Sequence, residues 1–237
     1  SAAKAWTAQL AQEPTPAMQA RLHLWLGKAA AAQKDTATAQ REWQQAEALD
    51  ESGYWGLRAR DLLAGRRFGG RAPEGAYEPD RYTSRGDPTE AEQWLAAWTG
   101  SPVSRELPEA VRGEEAFRKG MALWALGASN EAYSALRAVQ VAHQDDAGIL
   151  YALALYAREQ GLYQLSILAA DRVLALAPAE ARAKAPRLIK ELAYPTYYAD
   201  LVLPEAQSTG TDPLLFFGLI RQESLFNAGD TSYADAR

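Results

Sequence analysis

Apolar residues recur at helical spacing over most of this chain, alanine is abundant and β-branched residues are sparse, so the pattern predicts helices almost throughout. The periodicity places them over 17–33, 36–49 and 54–64. The stretch 65–88 is rich in Gly, Pro, Arg and Asp and has no apolar period, which predicts a long loop. Loops of that length inside a compact domain are uncommon and are often functional or mobile. Helical spacing resumes over 89–98, 113–126, 130–141, 147–160 and 163–177, with Asn130 expected as an N-cap and Pro178 as the stop of the last run.

A shift of 34 residues lays Gly127 on Gly161, Ala135 on Ala169 and Val139 on Val173, the period of tetratricopeptide (TPR) helix–turn–helix repeats. The consensus tryptophan and proline positions are not kept. The expected fold class is therefore all-α, with stacked antiparallel helix pairs forming a curved TPR-like solenoid over 1–178. Small residues such as Ala132 and Ala135 would let neighbouring helices approach closely. The segment 179–196 is small, charged and proline-punctuated and reads as a linker. Pro195 disfavours helix at Tyr194, so a turn is expected there, and 197–237 reads as the start of a second domain.

Composition removes several chemistries. The chain has 237 residues, 48% of them hydrophobic, and a net charge of -5. That charge argues against a nucleic-acid partner and weakly against an anionic membrane surface. No apolar run is long enough to span a bilayer. Cysteine is absent, which excludes disulfides, thiolate metal sites and a cysteine nucleophile. His23 and His143 lie far apart without partners at metal-ligand spacing, so no metal or cofactor is expected, and each reads as a satisfied or exposed histidine. The chain begins at Ser1 rather than Met, which suggests a processed or trimmed product, so the missing signal peptide leaves location open.

One segment carries candidate chemistry. Asp212-Pro213 is a strong helix start, with Asp at the N-cap and Pro at the first helical position. Residues 214–220 are apolar apart from Gly218, and a helix apolar on all sides is expected to be buried. Glu223 shares the face of Ile220 and Phe216, which would desolvate its carboxyl in part. An acid held protonated in this way can give its proton to a glycosidic oxygen. The alternative is a helix that simply ends there, with Arg221, Gln222 and Glu223 as its solvated last turn. Of the tryptophans, Trp25, Trp43, Trp55 and Trp124 fall within apolar helical patterns and read as core. Trp94 and Trp98, one turn apart beside the long loop, are the best candidates for a sugar-stacking surface. Arg58, Arg60, Arg66, Arg67 and Arg71 form a basic stretch that reads as a solvated face, or more sharply as a contact for an anionic glycan-peptide.

The ordered series Tyr194-Pro195, Tyr198-Ala199-Asp200-Leu201-Val202, Gly210-Thr211-Asp212-Pro213-Leu214-Leu215 and Ile220-Arg221-Gln222-Glu223-Ser224-Leu225-Phe226-Asn227 resembles the soluble lytic transglycosylases, which cleave bacterial peptidoglycan. Upstream, Gly53-Tyr54-Trp55-Gly56-Leu57-Arg58-Ala59-Arg60 resembles a helix start of that family's α-superhelical region. The resemblance implies that 197–237 opens a lysozyme-like domain with Glu223 as its single catalytic acid/base. Glu223 would protonate the oxygen between N-acetylmuramic acid and N-acetylglucosamine. It would then deprotonate the muramyl 6-hydroxyl, leaving a 1,6-anhydromuramic end. Ser224 would orient Glu223 or touch sugar, while Arg221 and Asn227 read as structural. The implied partner is the glycan strand, cell-envelope proteins are a further option, and the implied compartment is the periplasm. Family members continue past the residues equivalent to Ala236-Arg237 with a Gly-Leu-Met-Gln motif, an Asn-rich stretch and an active-site tyrosine. Residues 1–237 alone are therefore expected not to cleave peptidoglycan efficiently. Two other readings stay open: a non-enzymatic helical scaffold for a protein partner, and a goose-lysozyme-like hydrolase, which would need a second carboxylate or a positioned water.

Overall fold

Several helices begin where the sequence supplies a first-turn acceptor or proline, and several stop at a left-handed glycine. The result, in a computed structural model, is an all-α protein with fourteen α-helices, one short 3-10 helix and no strand among the described residues. The structure describes residues 2–13, 15–51, 53–66 and 72–229. These form two compact units, 1–70 and 71–237.

The first unit holds α1 (Ala2–Leu10), α2 (Pro16–Ala32), α3 (Thr36–Leu49) and α4 (Tyr54–Leu63). Asp35 caps α3 by accepting from the Thr38 amide at 3.0 Å. Consecutive helices pair around Ala20, Leu24, Ala46 and Ala59, with Trp43 and Trp55 packed against them. The α2–α3 approach needs Gly27, where a Cβ would lie 2.4 Å from Trp43 Nε1. Trp25 departs from its expected core position. It is 39% exposed, beside Trp6 and under the Lys28 ammonium. With alanines on every face, α2 gives no apolar stripe to show which side turns inward. In the basic stretch, Arg60 pairs with Glu47 and Arg66 with Asp61. Arg67 and Arg71 lie outside the described residues.

The second unit holds α5 (Pro88–Thr99), α6 (Glu109–Arg112), α7 (Glu115–Ala125), α8 (Ser129–Ala142), α9 (Ala147–Glu159), α10 (Tyr163–Leu176), α11 (Ala179–Ala183), α12 (Arg187–Ala193), α13 (Ala199–Thr209) and α14 (Pro213–Ser224). The pairs α7/α8 and α9/α10 repeat one another. An offset of 34 residues separates the first residues of α8 and α10, Ser129 and Tyr163, and also their last, Ala142 and Leu176. Gly127 and Gly161 close α7 and α9 in the same left-handed turn, at φ 77° and 73°. Asn130 is not the N-cap of α8. It lies inside the first turn, and Ala128 holds the cap position without a side-chain bond. At α9 the core is deepest, with Leu150, Tyr151, Leu153 and Ala154 fully buried. Burial pushes the Tyr151 hydroxyl up to about 12, and neighbouring Glu92 adds to the effect.

The segment expected to be a linker is part of this core. Leu188, Ile189, Leu192 and Ala193 of α12 pack with α5, α9 and α10, and the division between units falls instead between 70 and 71. Pro186 within that segment and Pro178 just before it are helix starts, the N-cap residues of α12 and α11. The turn expected at Tyr194 is present, as α12 ends at Ala193.

From the long loop, residues 72–87 are described and 67–71 lie outside the described residues. A 3-10 helix, Pro79–Tyr82, sits in its second half, and the stretch is held down at several points. Tyr77 donates to the Thr211 carbonyl at 3.3 Å, Thr196 Oγ1 to the Tyr82 carbonyl at 3.1 Å, and Tyr82 to the Ala76 carbonyl. Glu191 accepts from Ser84 Oγ and from the Arg85 and Gly86 amides. Among the described residues no helix is long and apolar enough to cross a membrane.

Candidate functional site

The Glu223 segment is built on α14. Asp212 caps it by accepting from the Leu214 amide at 2.9 Å, and Pro213 occupies its first turn, as the sequence predicts. Pro213 and Phe217 are buried, and Phe216 and Ile220 are half-buried, on the side facing Ile167, Val202 and Phe226. The opposite side is open. Leu214, Leu215 and Leu219 are 51%, 61% and 53% exposed. Among the described residues the helix is thus apolar all round but covered on one face only, which corrects the expectation of full burial.

Arg221 pins the last turn. Its Nε donates to the Ala193 carbonyl at 2.8 Å, its Nη2 meets Asp171 Oδ2 at 2.5 Å, and its guanidinium lies 4.6 Å from the centre of the Tyr194 ring. Burial raises Asp171 above the usual carboxylate range, and the Arg221 charge and hydrogen bond pull it back only in part. This fits a structural role for Arg221.

Immediately after Ser224 the backbone is strained. Leu225 has φ 49° and Phe226 φ 61°, two successive non-glycine residues in the left-handed region. Tyr198, with φ 59°, is a third, and its ring centre lies 6.4 Å from that of Phe226. What holds this turn is aromatic packing. Phe226 is 1% exposed and meets Tyr197 edge-on at 5.5 Å. Tyr197 in turn stacks on Tyr163 at 3.8 Å. Burial pushes the Tyr197 and Tyr198 hydroxyls upward. Backbone strain of this kind persists where surrounding packing over-determines it, and it gathers at functional sites.

Glu223 itself is exposed and makes no hydrogen bond or ion pair among the described residues. The desolvation expected from the apolar run does not arise among them, because the strip beside it, Leu215 and Leu219, is itself open. Ser224 Oγ donates to the Ile220 carbonyl at 3.2 Å, a bond to its own helix backbone. Asn227 closes the turn, with its amide donating to the Ser224 carbonyl and its Oδ1 accepting from Gly229. Asp230 and the residues after it lie outside the described residues.

Trp94 and Trp98 sit elsewhere. Their rings meet edge-on at 5.7 Å on α5, half-buried against the α9–α10–α12 core, and Trp94 Nε1 donates to the Ala181 carbonyl at 2.9 Å. They are packing residues more than a free stacking surface, and they belong to a different hydrophobic cluster from α14. His23 and His143 each meet a glutamate, Glu42 at 2.7 Å and Glu114 at 2.6 Å. Sequence reasoning missed Asp171, Tyr163 and the Tyr197–Phe226 contact that fix the helix end. No local signal marks them, since Tyr163 and Asp171 come from α10 and Tyr197 and Phe226 from turns far along the chain.

The arrangement offers one accessible carboxyl at the end of an open apolar strip, on a helix end locked by an ion pair and a buried phenylalanine. No protein-family model matches the chain, and no curated protein matches it.

Proposed function

We propose that this chain belongs to a peptidoglycan lytic transglycosylase, with Glu223 as the acid/base that cleaves the MurNAc–GlcNAc bond without water. The observation that carries the reading is the Glu223-Ser224 pair, set on a capped apolar helix and followed by the strained turn at Leu225 and Phe226. Helices commonly end with a single left-handed residue, but here two successive bulky residues are held there, at a cost of about 1–2 kcal/mol each. The ordered series from Tyr194 to Asn227 supports the same assignment. In this reading α7–α10 form part of a TPR-like stack, and α13 and α14 are early helices of a lysozyme-like domain. The glycan lies along Leu215 and Leu219 toward Glu223, and the protein works in the cell envelope.

The test uses the gene product that contains these residues, incubated with purified peptidoglycan, with the product ends read by mass spectrometry. Anhydromuramic ends that disappear in Glu223→Gln are expected. Reducing ends would assign a hydrolase. Anhydro ends that persist in Glu223→Gln would remove Glu223 from the mechanism. One observation favours a second reading as a binding scaffold: the open leucine face of α14. That reading requires a protein partner whose binding is lost in Leu215→Asp while glycan cleavage is absent.

A further inference from the structure

A separate concavity of about 300 Å³ lies where the 3-10 helix, the end of α9, the α12 region and the start of α14 converge. That volume is within the range of small-ligand sites. Arg81, Arg158 and Arg187 line it, with Glu191 as the acid in the same wall. Glu191 is already engaged. It pairs with Arg187 at 2.6 Å and accepts from Ser84 Oγ and from two backbone amides. Arg81 and Arg158 are left without an ion pair among the described residues; Arg81 is exposed, while Arg158 is half-buried beside Tyr197, so the desolvation argument applies to Arg158. A guanidinium withdrawn from water without a carboxylate is costly, and in a chain of net charge -5 acids are not scarce. The remaining wall supplies the Thr83 hydroxyl, the hydroxyl oxygens of Ser84 and Thr196 as acceptors, since both already donate within the protein, and the Tyr194 ring, which stays 62% exposed.

Guanidinium forks, hydroxyls and an open aromatic ring together suit a sugar that carries an acid group. We infer that this cleft binds an acidic saccharide through Arg158 and Arg81. The choice of a carboxylate over a phosphate, and of a muramyl unit freed of its stem peptide as the natural ligand, rests on the peptidoglycan reading. The charge argument does not depend on it.

The experiment is calorimetric titration of the 237-residue chain with N-acetylmuramic acid, glucuronic acid, N-acetylglucosamine and glucose 6-phosphate. Binding of N-acetylmuramic acid is expected, with affinity falling about tenfold or more in Arg158→Gln. Arg158→Lys should recover part of the loss, since lysine keeps the charge and lacks the fork. Circular dichroism of both variants confirms that they remain folded. Equal binding of neutral N-acetylglucosamine, unchanged binding in Arg158→Gln, binding of the phosphate alone, or no binding of either acid would each overturn the inference. Glucuronic acid binding without N-acetylmuramic acid would uphold the cleft while counting against the peptidoglycan reading. Failure of Glu223 chemistry would show in product ends and not in these titrations.

Discussion

Phe226→Ala is the sharpest test of what holds the Glu223 helix end. The side chain is 1% exposed and packs among Ile167, Val202, Phe217, Tyr197 and Tyr198. Truncating a buried phenylalanine costs about 3–5 kcal/mol, from lost transfer energy and the cavity left behind. Alanine at φ 61° keeps the left-handed strain, so nothing offsets that loss. For a unit the size of 71–237, each kcal/mol moves the melting temperature by about 2–4 °C, which predicts a drop of roughly 6–20 °C. Scanning calorimetry is the assay. Because 1–70 and 71–237 are separate compact units, the trace can resolve two transitions, and only one should move. A change below about 1 kcal/mol, as expected at an exposed position, would refute the claim that aromatic packing at Phe226 sustains the turn.

Three further outcomes follow from the same geometry. In Gly86→Ala the new Cβ would fall 2.4 Å from the backbone of Leu188, which cannot yield, so the loop should lift from α12 at a cost of about 1–3 kcal/mol, measured by urea denaturation. Burial alone would raise Glu191, but hydrogen bonds from Ser84, Arg187 and the Arg85 and Gly86 amides outweigh it and hold the carboxyl below its usual range. Its contribution is therefore present above the unfolded value near 4.5 and is lost as pH falls through the lower folded value, so Glu191→Gln should be less stable at neutral pH and lose less on acidification. Arg221→Met leaves Asp171 and the Ala193 carbonyl without their donor and should cost about 1–2 kcal/mol in thermal melts, since the pair is only partly buried.

Legibility in the sequence followed how local each determinant was. Thr36–Leu49 was readable from its apolar period and the start of α14 from Asp212-Pro213, and both helices prove to be capped by an Asp within three residues of chain. Gly127 and Gly161 announced a repeat because a left-handed helix stop favours glycine and the two recur 34 residues apart. Helix α12 was hidden by Pro186 and Pro195, which bracket a short helix and look like linker punctuation. Pro204 inside α13 blurred its period in the same way. Trp25 and Trp94 show the limit for tryptophan, since an aromatic at helical spacing does not say whether a neighbouring helix arrives to cover it. Arg81 and Arg158 come from distant segments, and only the tertiary fold brings them to one wall.

The contrast between α9 and α14 explains why Glu223 was misplaced in its surroundings though not in its helix. Both segments are apolar around most of their circumference, and periodicity treats them alike. Helix α9 is covered on all sides by α5, α8, α10 and α12, so Tyr151 is fully buried. Among the described residues helix α14 is covered on the Phe217 side alone, and Glu223 stands at the seam between that side and the open leucines. The carboxyl is therefore not desolvated by its own helix. In the proposed role a sugar lying on Leu215 and Leu219 would displace water from Glu223 at the moment of binding. Leu219→Ser separates that idea from simple docking. Ligand-assisted desolvation predicts a loss in kcat together with a shifted pH–rate profile, whereas docking alone predicts a higher KM at an unchanged profile.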